Sequence, residues 1–209
     1  NGLKIKNNLV VDAGNSGTFS RLFCGLISGY EKEITLKGDK SLSRRDFSRV
    51  IKPLKLFGVN FKSRNNKLPI KICGSSLLRP IYYFEKKGSA QVKSAILLSS
   101  LNTPGKTVIN CVKSRDHTEL MLKKCLKLPI KIKKQKNIEK IEIYGKKSFY
   151  NFDYDIPGDI SSAAFFIVLT ILSKNSKLLI RNINLNKTRS GIIDIIRKMK
   201  GSIKILNKT

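Results

Sequence analysis

Gly14 and Gly17 flank Asn15 and Ser16 in the stretch Val11-Asp-Ala-Gly-Asn-Ser-Gly-Thr-Phe-Ser-Arg21, a spacing that lets backbone N–H groups converge on one point. Phe19, Leu22, Phe23, Leu26 and Ile27 then recur at helical spacing, so a helix starts at the turn and directs its positive end at whatever the amides hold. The chemistry this suits is anion binding, phosphate above all; the plain alternative is a turn that only redirects the chain. Arg21 falls off the apolar face of that helix, and Gly29 closes it. His117, the one histidine, invites a general-base role, but it lies just inside a helix start and reads as structural. Around it, in Ser114-Arg-Asp-His-Thr-Glu119, Asp116 and Glu119 have the spacing of a capping box. Cys24, Cys73, Cys111 and Cys125 show no C-x-x-C pair or zinc spacing, and read as reduced thiols of a cytosolic protein.

The elements that must position these residues follow from periodicity. After the first helix, Glu33–Lys37 alternates as a strand, and a helix is expected from about Arg44 to Phe57 with Phe47, Val50, Ile51, Leu54 and Phe57 inward. Pro53 should kink it and Gly58 ends it. Strands are expected from Val59 and at Leu68–Ile72. A second cycle reads Arg79–Phe84 as strand, a helix from Gly88, Thr107–Val112 as strand, a helix to about Leu126, then Lys131–Lys133 and Ile138–Tyr144 as paired strands. Strand, helix, strand, helix, strand, strand thus occurs twice with a period near 70 residues, an internal α/β repeat. A third cycle begins near Tyr154 and predicts strands at Lys177–Arg181 and Ser202–Leu206 around a helix from Ser190 to Met199.

A length of 209 residues with 41% apolar content suits one or two folded domains. No apolar run reaches the length of a membrane span; the longest, Ala163 to Leu172, is broken by Thr170. The net charge of +28 suggests nucleic acid, yet 32 of the 42 basic residues are Lys and they are spread through core, loop and surface segments alike. Nucleic-acid surfaces concentrate charge and interleave aromatics, so the charge is read as diffuse, with steering of anionic metabolites as its use.

Four segments together resemble the enolpyruvyl transferase family: Gly14-Asn-Ser-Gly-Thr-Phe-Ser-Arg21, Gly88-Ser-Ala-Gln-Val-Lys-Ser-Ala95, Ser114-Arg-Asp-His-Thr-Glu119, and Ile156-Pro-Gly-Asp-Ile-Ser-Ser-Ala-Ala-Phe-Phe166. The resemblance spans essentially the whole chain, and the last two segments favour the branch that acts on shikimate 3-phosphate. The runner-up branch acts on UDP-N-acetylglucosamine and carries a reactive cysteine in the loop that matches Gly38 to Asp46, where this chain has none. A basic nucleic-acid-binding module is the reading from a different class.

What the resemblance implies is an α/β fold of two lobes, each made of repeated units of a four-stranded sheet plus two helices. Residues 1–154 would form most of one lobe and residues 155–209 the start of the other, with the fold incomplete at both ends. The implied reaction moves the enolpyruvyl group of phosphoenolpyruvate to the 5-hydroxyl of shikimate 3-phosphate, releasing phosphate, with no metal and no organic cofactor. Gly17, Arg45 and Gln91 match phosphoenolpyruvate-binding positions, with Arg44 the alternative to Arg45; the family commonly has proline where Asp46 stands, a carboxylate that could compete for the guanidinium. Ser89, Ala90, Gln91 and Arg115 match shikimate-3-phosphate-binding positions. Asp159 and Ser161 are expected to cap the helix that starts the other lobe, with Arg189 structural or on the interlobe surface. No catalytic acid or base is expected in the chain: the family's Gly-Ser-Lys-Ser segment would precede residue 1 and its catalytic carboxylates would follow Thr209. The whole enzyme would be a cytoplasmic monomer, free of nucleic acid and membrane. A methyl group at the position of Gly17 excludes the inhibitor glyphosate in this family, so glycine there implies sensitivity.

Overall fold

In the computed structural model, residues 5–145 and 152–206 are described, and the chain divides into two compact units, Asn1–Asn151 and Phe152–Thr209. The first unit is the repeat. Strand β1 (Leu9–Asp12) leads through helix α1 (Gly17–Leu26) to β2 (Glu33–Lys37), and helix α2 (Ser48–Phe57) is followed by β3 (Asn60–Ser63) and β4 (Ile70–Cys73). The second copy runs β5 (Tyr82–Glu85), α3 (Ala90–Leu101), β6 (Lys106–Val112), α4 (His117–Lys124), β7 (Ile130–Gln135) and β8 (Ile138–Tyr144). Each sheet pairs its first two strands in parallel and the rest antiparallel, in the orders β1-β2-β4-β3 and β5-β6-β8-β7. The copies keep a constant offset through their first halves: Leu9 answers to Tyr82, Gly17 to Ala90, Glu33 to Lys106.

Each sheet turns one face to helices. Ile34, Leu36, Ile70 and Ile72 are buried while Lys37 and Lys71 between them face water, the alternation of a half-buried sheet. Helix α3 is buried almost all round, against α1, α2, α4, β6 and β8. Its composition explains how: Ser94, Ala95, Ser99 and Ser100 are small enough for neighbours to approach, and a Cβ on Gly25 of α1 would lie 2.1 Å from the Ala95 carbonyl oxygen. The hydroxyls of Ser100 and Thr103 are satisfied within the helix, on Leu97 O at 2.6 Å and Ser99 O at 3.0 Å.

In the second unit, α5 (Ile160–Leu172) and α6 (Gly191–Lys198) pack Ile160 and Ala163 against Ile193. Asp159 alone caps α5, accepting from Ser161 N at 3.1 Å, whereas Ser161, expected to cap beside it, lies within the first turn; Arg189 donates to the Asp159 carboxylate at 2.8 Å and to the Ser161 hydroxyl. The far side of α5 exposes Phe165, Phe166, Leu169 and Leu172.

The structure departs from the sequence reading in several places, the first being that α1 ends at Leu26 and Ile27–Gly29 is a 3-10 turn. The segments 177–181 and 202–206 form no strand among the described residues, and the one isolated bridge in the second unit, parallel between Gly158 and Ile183, lies outside both, because an apolar pattern makes a strand only where a partner supplies the ladder. The expected helix from Arg44 is split: Leu42–Arg44 is one 3-10 turn, Arg45 is extended, and the α-helix begins at Ser48. The capping box does not form, since Asp116 stands at the N-cap without a side-chain cap bond and Glu119 is buried beside Lys93. Helix α4 ends at Lys124, two residues before the expected Leu126.

Candidate functional site

The turn before α1 is pinned from both sides. Asp12 Oδ1 accepts from Gly14 N at 2.9 Å, Gly14 takes φ +52°, Asp39 N donates to Gly14 O at 2.8 Å, and Asn15 Nδ2 donates to Asp39 Oδ2 at 2.5 Å. Ser16 then caps the helix, its hydroxyl accepting from Phe19 N at 3.1 Å. Gly17 is buried, and its own N–H turns back to Asn15 O at 3.1 Å. What Gly17 contributes here is therefore room. A Cβ on it would sit 2.7 Å from Arg21 Nη1 and 3.0 Å from Arg45 Nη1.

Two guanidiniums thus meet over one glycine. Arg21 Nη1 donates to Gly17 O at 2.9 Å and to Gln91 Oε1 at 3.2 Å, and its plane lies over the Phe47 ring, 4.9 Å from the centroid. Gln91 Nε2 donates to Thr18 Oγ1 at 2.7 Å, which ties the first turn of α3 to the first turn of α1. Burial, and after it the neighbouring charges of Arg45 and Arg49, hold Arg21 below the usual guanidinium value. Like charges crowded at two helix N-termini make a place for a multivalent anion.

Arg45, not Arg44, is the arginine whose guanidinium approaches Gly17. Asp46 does not compete for it: both its oxygens are engaged by Ser48, accepting from the amide at 2.9 Å and from the hydroxyl at 2.5 Å, and those bonds hold its carboxyl below the usual range. Ser89 caps α3, its hydroxyl accepting from Val92 N at 3.4 Å, and Ala90 and Gln91 fill the first turn, where amides have no carbonyl in their own helix. Arg115 is exposed on the loop before α4; among the described residues no hydrogen bond or ion pair links it to Ser89 or Gln91. The start of α4 is nevertheless fastened to the start of α3, by Ser94 Oγ to Thr118 Oγ1 at 2.7 Å and by Lys93 Nζ, 2.5 Å from Glu119 Oε1. That last contact pairs charges without hydrogen-bond geometry, and Lys93 Nζ lies 3.8 Å from Glu139 Oε2 besides.

Sequence reasoning missed Arg21 as a site residue, and with it Arg49, Glu85 and Lys93. A signal existed for Arg21: it lies four residues after Gly17, so on a helix its side chain reaches back over the glycine carbonyl. Among the described residues no group of His, Cys, Asp and Glu is arranged to hold a metal, and no helix is long and apolar enough to cross a membrane. The four cysteines are free thiols.

Fold and site together define an α/β protein of repeated β-α-β-α-β-β units that gathers arginines and helix N-termini around a glycine. The family can be stated outright. The model of EPSP synthase (3-phosphoshikimate 1-carboxyvinyltransferase) matches residues 1–208, and the chain belongs to that family. It is 40% identical over 208 residues to the 3-phosphoshikimate 1-carboxyvinyltransferase of Streptococcus agalactiae serotype III, covering 98% of this chain and 47% of that protein. To the enzyme of the same name from Caldicellulosiruptor bescii it is 45% identical over 199 residues, 94% of this chain and 46% of that one. A solved structure of EPSP synthase from Acinetobacter baumannii superposes with a TM-score of 0.76 at 34% identity, covering 92% of this chain and 43% of that one. The chain spans about half the length of the curated relatives it matches.

Proposed function

We propose that a protein carrying these residues transfers the enolpyruvyl group of phosphoenolpyruvate to shikimate 3-phosphate, and that this chain supplies binding groups for both substrates. In that reaction the acceptor hydroxyl gives up its proton as its oxygen bonds to the central carbon of phosphoenolpyruvate and the methylene takes a proton to become methyl; loss of a methyl proton and cleavage of the C–O bond to phosphate then form the enol ether and release phosphate. Two anions must be held side by side, which costs most of the entropy of bringing them together and demands fixed cations. The observation that carries the reading is the meeting of Arg21 and Arg45 over buried Gly17, with Gln91 bonded to Arg21. Arg45, with the space left by Gly17 and the Gln91 amide, receives phosphoenolpyruvate. The Ser89 hydroxyl, the amides of Ala90 and Gln91, and Arg115 receive the phosphate and carboxylate of shikimate 3-phosphate.

Unit Asn1–Asn151 is read as most of one lobe and the remainder as the beginning of the other. The reading needs no metal or organic cofactor and places the enzyme in the cytoplasm as a monomer. The UDP-N-acetylglucosamine reading is disfavoured by the absence of cysteine between Gly38 and Asp46. Steady-state kinetics of Arg45→Ala and Arg115→Ala, in a protein of the relatives' length, test the division of labour. The first should raise KM for phosphoenolpyruvate and the second KM for shikimate 3-phosphate, each by about tenfold or more. Effects on the opposite substrate would overturn the assignment.

A further inference from the structure

We propose that Glu85 is a positioning residue for the shikimate-phosphate segment, a buried carboxylate strut that presents Ser89 and is held in turn by Arg49; this rests on the substrate reading above. Glu85 is the last residue of β5 and is only 4% exposed. A carboxylate withdrawn from water is tolerated where donors surround it, and three do. Oε2 accepts from Ser89 N at 2.8 Å, and Oε1 accepts from Lys87 N at 3.2 Å and from Arg49 Nη2 at 3.0 Å.

Those bonds shape the segment between strand and helix. The carboxylate gathers the amides of Lys87 and Ser89, folding residues 86–88 into a tight turn closed by Gly88 at φ +63°. Ser89 is thereby held extended at φ −87° and ψ 106°, the conformation an N-cap needs to present its hydroxyl and the amides behind it. Arg49 gives the strut its reach. It lies in the first turn of α2, just after the loop that carries Arg45, so that loop's helix and the turn that carries Ser89 are joined through one ion pair between the two copies of the repeat. Pairing also takes Arg49 out of the competition for anions, leaving Arg21 and Arg45 as the cations over Gly17.

The test uses a protein of the relatives' length and four variants, Glu85→Gln, Glu85→Asp, Arg49→Met and Ser89→Ala. Glu85→Gln replaces a three-way acceptor with a group whose amide end donates, so at least one of the three N–H groups loses its partner. Expected is a rise in KM for shikimate 3-phosphate of about tenfold, with KM for phosphoenolpyruvate and kcat changed by less than about threefold. Hydrogen exchange of the Ser89 and Lys87 amides should quicken in the same variant while the amides of β6 and β8 keep their protection. Glu85→Asp keeps the charge but shortens the reach, and should give the same selective shift if the glutamine variant fails to fold. Arg49→Met should act in the same direction and more weakly, because both backbone donors remain. If Ser89→Ala raises KM for shikimate 3-phosphate while the two Glu85 variants leave it and the Ser89 exchange unchanged, the strut is overturned and the substrate reading stands. If Ser89→Ala leaves that KM unchanged, the substrate reading fails at this segment and the strut falls with it.

Discussion

Gly17 shows how one missing methyl sets a site. Its neighbours in space are the ends of two flexible side chains, Arg21 Nη1 and Arg45 Nη1, which can move aside, so Gly17→Ala should fold. The cost falls on the ligand, because the guanidiniums leave the position where they would converge on an anion. Expected is a loss of about tenfold in affinity for phosphoenolpyruvate, ~1–2 kcal/mol, with glyphosate losing at least as much. Paired measurement of KM for phosphoenolpyruvate and of glyphosate inhibition in the two proteins checks this; a substitution that changes neither would show that Gly17 does not line the pocket. Gly17, Arg45, Ser89 and Gln91 are candidates through the resemblance of their short segments to the family's motifs, and the structure adds only where Gly17, Arg45 and Gln91 lie and that Ser89 caps its helix. Arg21 could not be read in full, since its contacts with Phe47 and Gln91 depend on chain brought from far along the sequence.

At the scale of elements, Gly25 is the contrasting case. The Cβ of Gly25→Ala would meet the backbone oxygen of Ala95, which cannot swing away, so α1 and α3 would have to part. Loss of about 2 kcal/mol or more of stability is expected by urea unfolding, against little for Gly17→Ala; equal stabilities would contradict this close packing. Helix α3 is also held by charge, and burial pushes the Glu119 carboxyl above its ordinary value of 4.5 although Lys93 pulls the other way. A carboxyl raised on folding binds its proton more tightly in the folded chain. Its contribution is complete below pH 4.5 and fades as pH climbs through the raised value. Glu119→Gln should therefore flatten the pH dependence of stability above about pH 4.5. Glu119→Ala, which leaves the buried Lys93 ammonium with only the Glu139 carboxylate 3.8 Å away, should cost about 3 kcal/mol, and Lys93→Met with Glu119→Leu should recover part of it. Unfolding curves at several pH values decide both points. The repeat itself was legible, strand by strand, because each of its strands alternates and each has a partner. The strands expected at 177–181 and 202–206 were not realised, since the apolar run Leu178 to Ile180 and the alternating Ile203 and Ile205 find no ladder among the described residues. Asp116 and Glu119 misled for a related reason: capping-box spacing says nothing about a buried lysine on another helix.

For the molecule as a whole, the charge of +28 is spread along the chain, and on the sheets Lys37, Lys71 and Lys140 are each paired to a nearby carboxylate. Such a surface attracts polyanions without recognising them. Binding to generic duplex DNA, followed by fluorescence anisotropy, should be lost between about 50 and 200 mM salt; a complex that survives would favour a nucleic-acid module instead. Two guanidiniums, Arg21 and Arg45, do meet over Gly17, and it is there that the proposed function puts phosphoenolpyruvate. The central claim is that these binding groups serve transfer of enolpyruvyl to shikimate 3-phosphate. It is tested most directly by following phosphate release from phosphoenolpyruvate, in a protein that carries these residues at its relatives' length, with shikimate 3-phosphate or UDP-N-acetylglucosamine offered as acceptor. The account predicts release with shikimate 3-phosphate alone, falling by about a hundredfold or more in kcat/KM when Arg45 becomes Ala; release with UDP-N-acetylglucosamine, or release indifferent to Arg45, would contradict it.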